Sequence, residues 1–301
     1  MKKKILIIGG TGFIGYHLAL KCLKLNWNVV SLSSKKPQNF RRLKKIKYLV
    51  GDIGNFKNLS ILLEHNFNYV VNLGGYIDHH NKVKTYRSHF LGVRNLAKFF
   101  LKKNLKSFIQ IGSSAEYGNI KSPQKESFKC KPKTIYGKSK LKSTKFLMNL
   151  YKEKNFPVTI LRYYQVYGPS QNINRFIPLL INACIKNIQF PASHGKQKRD
   201  FLYVDDAVSA ILKALNNKMS EGKIINIGSG KTITLLSLMK SINQKIGGGD
   251  ILLGKIKLRK DEPMVIFPNL NRSSKILRWK STITLKRGIN KTIEFYKKEI
   301  I

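Results

Sequence analysis

Short, continuously apolar runs alternate with longer amphipathic stretches through the first half of this chain. Ile5-Leu6-Ile7-Ile8 comes first and enters a glycine cluster, after which an amphipathic run extends through Leu25. Further apolar runs lie at 28–32, 48–50, 69–73, 107–111 and 158–162, most of them followed by glycine or polar residues. A strand that is apolar at every position is buried on both faces, as in a parallel sheet covered by helices. Residues 82–103 and 141–154 have the length and pattern of helices. This alternation predicts an α/β fold with a doubly wound parallel sheet. Pro169 marks the exit to a second region, so residues 1–168 are expected to form the main domain, completed by about 201–246. Residues 169–200 and 247–301 are expected to build a smaller lobe.

A length of 301 residues and a hydrophobic content of 42% suit that division. The charge is less ordinary: 57 Lys+Arg stand against 15 Asp+Glu, a formal net charge of +42. Such a balance suits nucleic acid, an anionic surface or phosphorylated substrates. The basic residues are dispersed from Lys2 to Lys298, with no long block and no aromatic-interleaved tract, so no specific nucleic-acid partner is expected. Cys22, Cys130 and Cys184 are far apart and form no C-x-x-C, which points to a reducing compartment and to neither disulfides nor zinc. The apolar run after Met1 is too short for a signal peptide and lacks a cleavage site. No apolar span is long enough for a bilayer. A cytoplasmic protein without membrane insertion is expected.

The first candidate chemistry is Gly9-Gly10-Thr11-Gly12-Phe13-Ile14-Gly15. A strand, a glycine loop and a helix in succession present backbone N–H groups and a helix N-terminus to a pyrophosphate. Gly9 permits the tight turn, Gly12 the close backbone approach and Gly15 the close helix–strand packing. The expected domain is therefore a Rossmann-type one that binds a dinucleotide. The second strand ends in Ser33-Ser34-Lys35-Lys36, with Arg41 and Arg42 beyond. An acid that would hold a ribose 2′-hydroxyl is missing and cations are present, so NADP(H) is preferred over NAD(H), with Ser33, Lys35 and Arg41 near the 2′-phosphate. Asp52-Ile53 and Leu73-Gly74-Gly75 fall at strand ends on the same edge, where Asp52 is placed to accept from an adenine amino group. Ser113-Ser114 closes the fifth strand, offering hydroxyls to a substrate oxygen. Tyr136 and Lys140, four apart, share one helical face. A cation beside a phenol favours tyrosinate and lowers a pKa that is normally about 10.

These motifs in this order resemble the extended short-chain dehydrogenase/reductase family, in its NDP-sugar epimerase/dehydratase branch. The resemblance continues through Leu161-Arg162-Tyr163, Tyr167-Gly168-Pro169, the stretch from Arg199-Asp200 to Asp205-Asp206, Asn226-Ile227-Gly228 and Leu277-Arg278-Trp279, and so covers the whole chain. It implies that Ser113 is the catalytic serine, with Ser114 as the fallback, that Tyr136 is the acid/base, and that Lys140 is its partner and a contact of the nicotinamide ribose. It implies cofactor contacts from Gly9, Thr11, Gly12, Phe13, Ile14, Gly15, Asp52, Ile53, Leu73, Gly74 and Gly75. Arg199 and Arg259 match arginines that grip a nucleotide-sugar diphosphate, for which fork-shaped, charge-assisted contacts suit arginine. Asp78, Gln165 and Asn174 match substrate contacts. A homodimer that pairs the helices at 82–103 and 136–154 is implied as well.

Two departures narrow the activity. Dehydratase relatives carry Thr-Asp-Glu where this chain has Ser113-Ser114-Ala115, and Glu116 is one position off register, so elimination is not expected. His89 stands where relatives often carry Asn. Asp78-His79-His80 is expected to be polar lining, not a metal site. The segment 254–264 resembles that of deoxysugar nucleotide reductases of the abequose or paratose synthase type. The expected reaction is NADPH-dependent reduction of a nucleotide-linked 4-keto-6-deoxy sugar in surface-glycan precursor synthesis. The alternatives are an NAD-dependent NDP-hexose 4-epimerase and a non-enzymatic RNA-binding or regulatory member of the superfamily.

Overall fold

The computed structural model describes residues 2–63, 66–76, 78, 80–258 and 262–300. The N-terminal half alternates β1 (Lys4–Ile8), α1 (Phe13–Lys24), β2 (Asn28–Ser33), β3 (Lys47–Val50), α2 (Phe56–Leu62) and β4 (Tyr69–Asn72). There follow α3 (Lys82–Tyr86), α4 (Gly92–Phe100), β5 (Ser107–Ser113), α5 (Ile135–Lys154) and β6 (Val158–Tyr163). A π-turn at Arg87–Leu91 joins α3 to α4, so the single helix expected at 82–103 carries a bulge.

The second half runs through β7 (Gln165–Tyr167), α6 (Phe176–Ile185), β8 (Phe190–Pro191), β9 (Lys198–Tyr203), α7 (Val204–Leu215), β10 (Lys223–Ile227) and β11 (Thr232–Thr234). It closes with α8 (Leu235–Ile246), β12 (Ile251–Leu252), β13 (Val265–Ile266), α9 (Asn271–Leu277) and α10 (Leu285–Ile300).

Seven strands form one sheet in the order β10-β6-β5-β4-β1-β2-β3, with every neighbouring pair parallel. This is the predicted doubly wound architecture. Alternation along β1 divides the core. Ile5 and Ile7 pack with Leu18 and Cys22 of α1 and Ala207 and Ile211 of α7 on one face. Leu6 and Ile8 pack with Leu96 and Phe100 of α4 and Leu147 of α5 on the other. Each such side chain contributes roughly 1.5–3 kcal/mol on burial, which is why the run has no polar position.

A smaller sheet (β11-β9-β13, with β7 also on β9) joins α6, α8 and α10 around Leu180, Ile181, Leu238, Ile242, Ile289 and Ile293. The chain weaves between the two cores more often than the sequence division allows. Within 201–246, α7 and β10 return to the large sheet, whereas β11 and α8 stay with the small lobe. From the C-terminal segment, Leu277 and Trp279 insert into the α1/α7 side of the large core. Among the described residues no helix is long and apolar enough to cross a membrane, and no cluster of three or more His, Cys, Asp or Glu could hold a metal.

Candidate active site

The C-terminal ends of the parallel strands open onto a cleft of about 1840 Å³ that the small lobe partly covers. The point where strand order reverses, between β1 and β4, is where open α/β sheets bind ligands. The glycine loop lies there. Gly9 has φ +75°, and a Cβ on Gly15 would fall 2.2 Å from the Gly9 carbonyl oxygen, so α1 meets β1 closer than any side chain allows. Gly12 opens α1 without a side-chain cap, and Thr11 N–H donates to Ser33 Oγ at 3.3 Å. Thr11, Phe13, Ile14, Leu73, Gly74 and Gly75 line the same space. A glycine-walled cradle at a helix N-terminus fits the diphosphate of a dinucleotide.

Beside the end of β2, Ser33 and Lys35 line the cleft, and Lys35 is exposed. Two expected contacts are otherwise engaged. The buried Arg41 guanidinium donates through Nε and Nη2 to the Ser170 carbonyl at 3.0 and 2.6 Å. It is a strut between the glycine-loop side and the small lobe. Asp52 lines the cleft beside Ile53, but its carboxylate accepts Gly54 N–H at 2.7 Å and Arg87 Nε at 3.0 Å. The unforeseen partner is Arg87, brought over by the helix that precedes the π-turn.

The wall that carries the candidate catalytic residues is built by β5 and α5. Thr134 caps α5 by accepting Gly137 N–H at 3.1 Å, so the helix starts at Ile135 and not near Leu141. Tyr136 therefore sits in its first turn and Lys140 one turn further on. β5 reaches Ser113, two residues beyond its expected end. The Ser113 hydroxyl accepts Ala115 N–H at 3.2 Å and lies near enough to the Tyr136 phenol to favour its ionised form. Lys140 Nζ donates to the Ile111 carbonyl at 2.7 Å and lies 6.0 Å from the centroid of the Tyr136 ring.

The electrostatics correct one expectation. Burial pushes the Tyr136 phenol above its ordinary range, against the opposing pull of the Ser113 hydrogen bond and of the Arg175 charge. Burial also lowers Lys140, to about 8, with the Glu116 charge acting the other way. Desolvation outweighs the cation–phenol attraction inferred from spacing.

Glu116 is fully buried and holds the wall behind this trio. Its carboxylate accepts Ser113 N–H at 2.9 Å, Thr144 Oγ1 at 2.8 Å and Arg162 Nε at 2.9 Å, with Arg162 Nη2 at 2.8 Å. Ser113 and Glu116 form a capping box, whose Ser-x-x-Glu signature is visible in the sequence.

Ser114 and Gln165 line the cleft. Three other expected substrate contacts do not. Asp78 is exposed and accepts His80 N–H at 3.1 Å, and Asn174 is exposed with its N–H on Asn172 Oδ1 at 3.0 Å. Arg199 is buried, its Nη2 2.5 Å from Glu262 Oε1 and its Nη1 3.0 Å from the Lys198 carbonyl. Arg259 and His79 lie outside the described residues. Sequence reasoning missed Arg175, which lines the cleft near Tyr136, and gave no role to His89, whose ring meets the Tyr136 ring edge to face at 4.9 Å.

The model of the NAD dependent epimerase/dehydratase family matches residues 5–228. The chain belongs to that family. It is 29% identical over 310 residues to a putative UDP-glucose 4-epimerase of Methanocaldococcus jannaschii, covering 97% of this chain and 98% of that protein. It is 28% identical over 311 residues to a dTDP-4-dehydro-6-deoxyglucose reductase of Escherichia coli, covering 97% of both. Pal from Bacillus thuringiensis superposes with a TM-score of 0.90 at 25% identity, over 98% of this chain and 99% of that one. The extended short-chain dehydrogenase/reductase assignment thus holds across the chain, as does NAD(P) dependence as a property of the family.

The depressed Lys140 value has a measurable consequence. Its folded pKa, about 8, lies below the ordinary lysine value of 10.5. Below pH 8 the fold carries the full cost of burying the cation. Between those values the unfolded chain binds the extra proton, so stability rises with pH. Wild type should therefore gain on Lys140→Met by up to roughly 3 kcal/mol across that window. Calorimetry of both proteins from pH 7 to 10.5 checks this, and a difference that is flat with pH contradicts it.

Proposed function

We propose that this protein reduces the 4-keto group of a nucleotide-linked 4-keto-6-deoxy sugar with NADPH. The observation that carries the reading is the Ser113–Tyr136–Lys140 trio beside a sealed Glu116. Elimination requires a second acid/base that can reach the sugar, and the carboxylate nearest the trio is spent on Arg162, Thr144 and the Ser113 backbone. What remains is proton transfer at a sugar oxygen. A nicotinamide, when bound, supplies the hydride for the adjacent carbon. Tyr136, kept protonated by burial, donates its proton to the developing alkoxide, and Ser113 hydrogen-bonds that oxygen. Lys140, anchored on the Ile111 carbonyl, holds positive charge beneath the tyrosine. A protonated phenol suits carbonyl reduction better than removal of a hydroxyl proton.

Lys35 and Lys36, with no acid at the end of β2, support NADPH, and Ser33 faces the same space. Ser114 and Gln165 are the substrate contacts this reading uses, and Arg199 would reach a diphosphate after release from Glu262. A second reading, NDP-hexose 4-epimerisation, is favoured by the full-length similarity to the M. jannaschii protein.

Incubation with nucleotide-linked 4-keto-6-deoxyhexoses and stoichiometric NADPH or NADH separates them. NADPH should be oxidised one-for-one with loss of the keto sugar. Interconversion of nucleotide hexoses without net cofactor change would replace this reading with epimerisation. Absence of both, with salt-sensitive RNA binding, would remove the enzyme reading.

A further inference from the structure

The imidazole of His89 is held in place from several directions. The π-turn at Arg87–Leu91 inserts one residue into the helical path and carries His89, which is 5% exposed. Single-turn π-bulges of this kind gather at functional sites. Nε2 lies 3.1 Å from the Tyr76 carbonyl, an acceptor, so Nε2 carries the proton. A Cβ on Gly75 would fall 2.1 Å from His89 Cε1, so the absent side chain at 75 is what makes room for the ring. From α5, the Ser143 hydroxyl donates to the His89 carbonyl. The fixed ring then meets the Tyr136 ring edge to face, with centroids 4.9 Å apart and planes at 79°.

We propose that His89 is a positioning residue for Tyr136: its imidazole, packed edge to face on the phenol ring, keeps the hydroxyl beside Ser113 and toward the substrate oxygen. Edge-to-face pairs are favourable beyond the area they bury, and this one is made where both rings line the cleft. The π-turn and Gly75 are thereby two parts of one device. The inference rests on the reading of Tyr136 as proton donor, but the contact itself is testable without turnover.

His89→Ala opens a space beside the phenol and admits water. His89→Phe keeps a ring of similar size at the same edge. In the turnover assay, kcat should fall about tenfold in His89→Ala with the KM for NADPH unchanged, and return to within about threefold of wild type in His89→Phe. The substrate-independent measurement is the Cζ resonance of Tyr136 in 13C-tyrosine-labelled protein, assigned with Tyr136→Phe and followed against pH. The titration should move toward ordinary tyrosine in His89→Ala and back in His89→Phe. Gly75→Ala, which displaces the ring, should mimic His89→Ala and add little in the double variant. An unmoved Tyr136 titration in His89→Ala overturns the proposal whatever the substrate proves to be. A moved titration without turnover of any nucleotide sugar leaves the contact standing and overturns the reductase reading instead. Equal kcat loss in the Ala and Phe variants also overturns ring positioning, in favour of the Tyr76 hydrogen bond.

Discussion

Tyr136→Phe should lower kcat by about 10²- to 10⁴-fold, the range that a positioned proton donor supplies. The substitution removes one oxygen and keeps the ring, so the edge contact with His89 and the packing of the first turn of α5 survive. Cofactor affinity and melting temperature should stay close to wild type, because the glycine cradle and the Lys140–Ile111 hydrogen bond are untouched. The relevant measurement is single-turnover NADPH oxidation with a nucleotide-linked 4-keto-6-deoxy sugar. Activity within tenfold of wild type would mean that another group delivers the proton. Ser113 is then the one to examine, since it lies beside Tyr136 and lines the same cleft.

The largest effect on stability belongs to Glu116. Glu116→Ala leaves the Arg162 cation, 2% exposed, without its carboxylate, and removes acceptors from Thr144 and the Ser113 backbone. Breaking one side of a buried ion pair costs about 3–5 kcal/mol, because a desolvated charge remains. Urea denaturation should show a lower midpoint at unchanged slope. Replacing both residues by leucine should recover part of the loss, since two apolar side chains carry no desolvation penalty. An equally unstable double variant would show that the site depends on the shape of the Glu116–Arg162 unit and not on its charge balance. Turnover should fall in Glu116→Ala as well, because Ser113 loses the hydrogen bond that fixes its backbone.

The sheet was legible because burial on both faces imposes a simple pattern. Ile5 to Ile8 must all be apolar when alternate residues serve two different cores. The glycine loop was legible because a Cβ has nowhere to go at Gly15. Start points were harder. α5 opens with Ile135-Tyr136-Gly137-Lys138-Ser139-Lys140, in which a single aliphatic residue sets no apolar periodicity, and the Thr134 cap was the available signal. The pairings were not readable at all. Arg87 meets Asp52 from 35 residues away, Arg162 meets Glu116 from 46, and Glu262 meets Arg199 from 63. Each looks in sequence like one more charge in a lysine-rich chain, and its partner depends on where the fold brings it. The His89–Tyr136 contact was hidden for the same reason, although the departure at position 89 marked the place.

The interlaced path of the chain bears on its birth at the ribosome. β6 ends at Tyr163, and β10, which pairs along its outer edge, begins at Lys223. At roughly 5–20 residues per second, some 3–12 s of translation separate the two. Throughout that interval the nascent sheet presents β6, apolar along most of its length, as an open template for another strand. The small lobe is threaded through this same gap, so its α6 and β9 emerge while the edge is still uncovered. Pulse-labelled chains stalled near residue 200 should therefore bind holdase chaperones more strongly than chains stalled beyond 260, once β10 has cleared the exit tunnel.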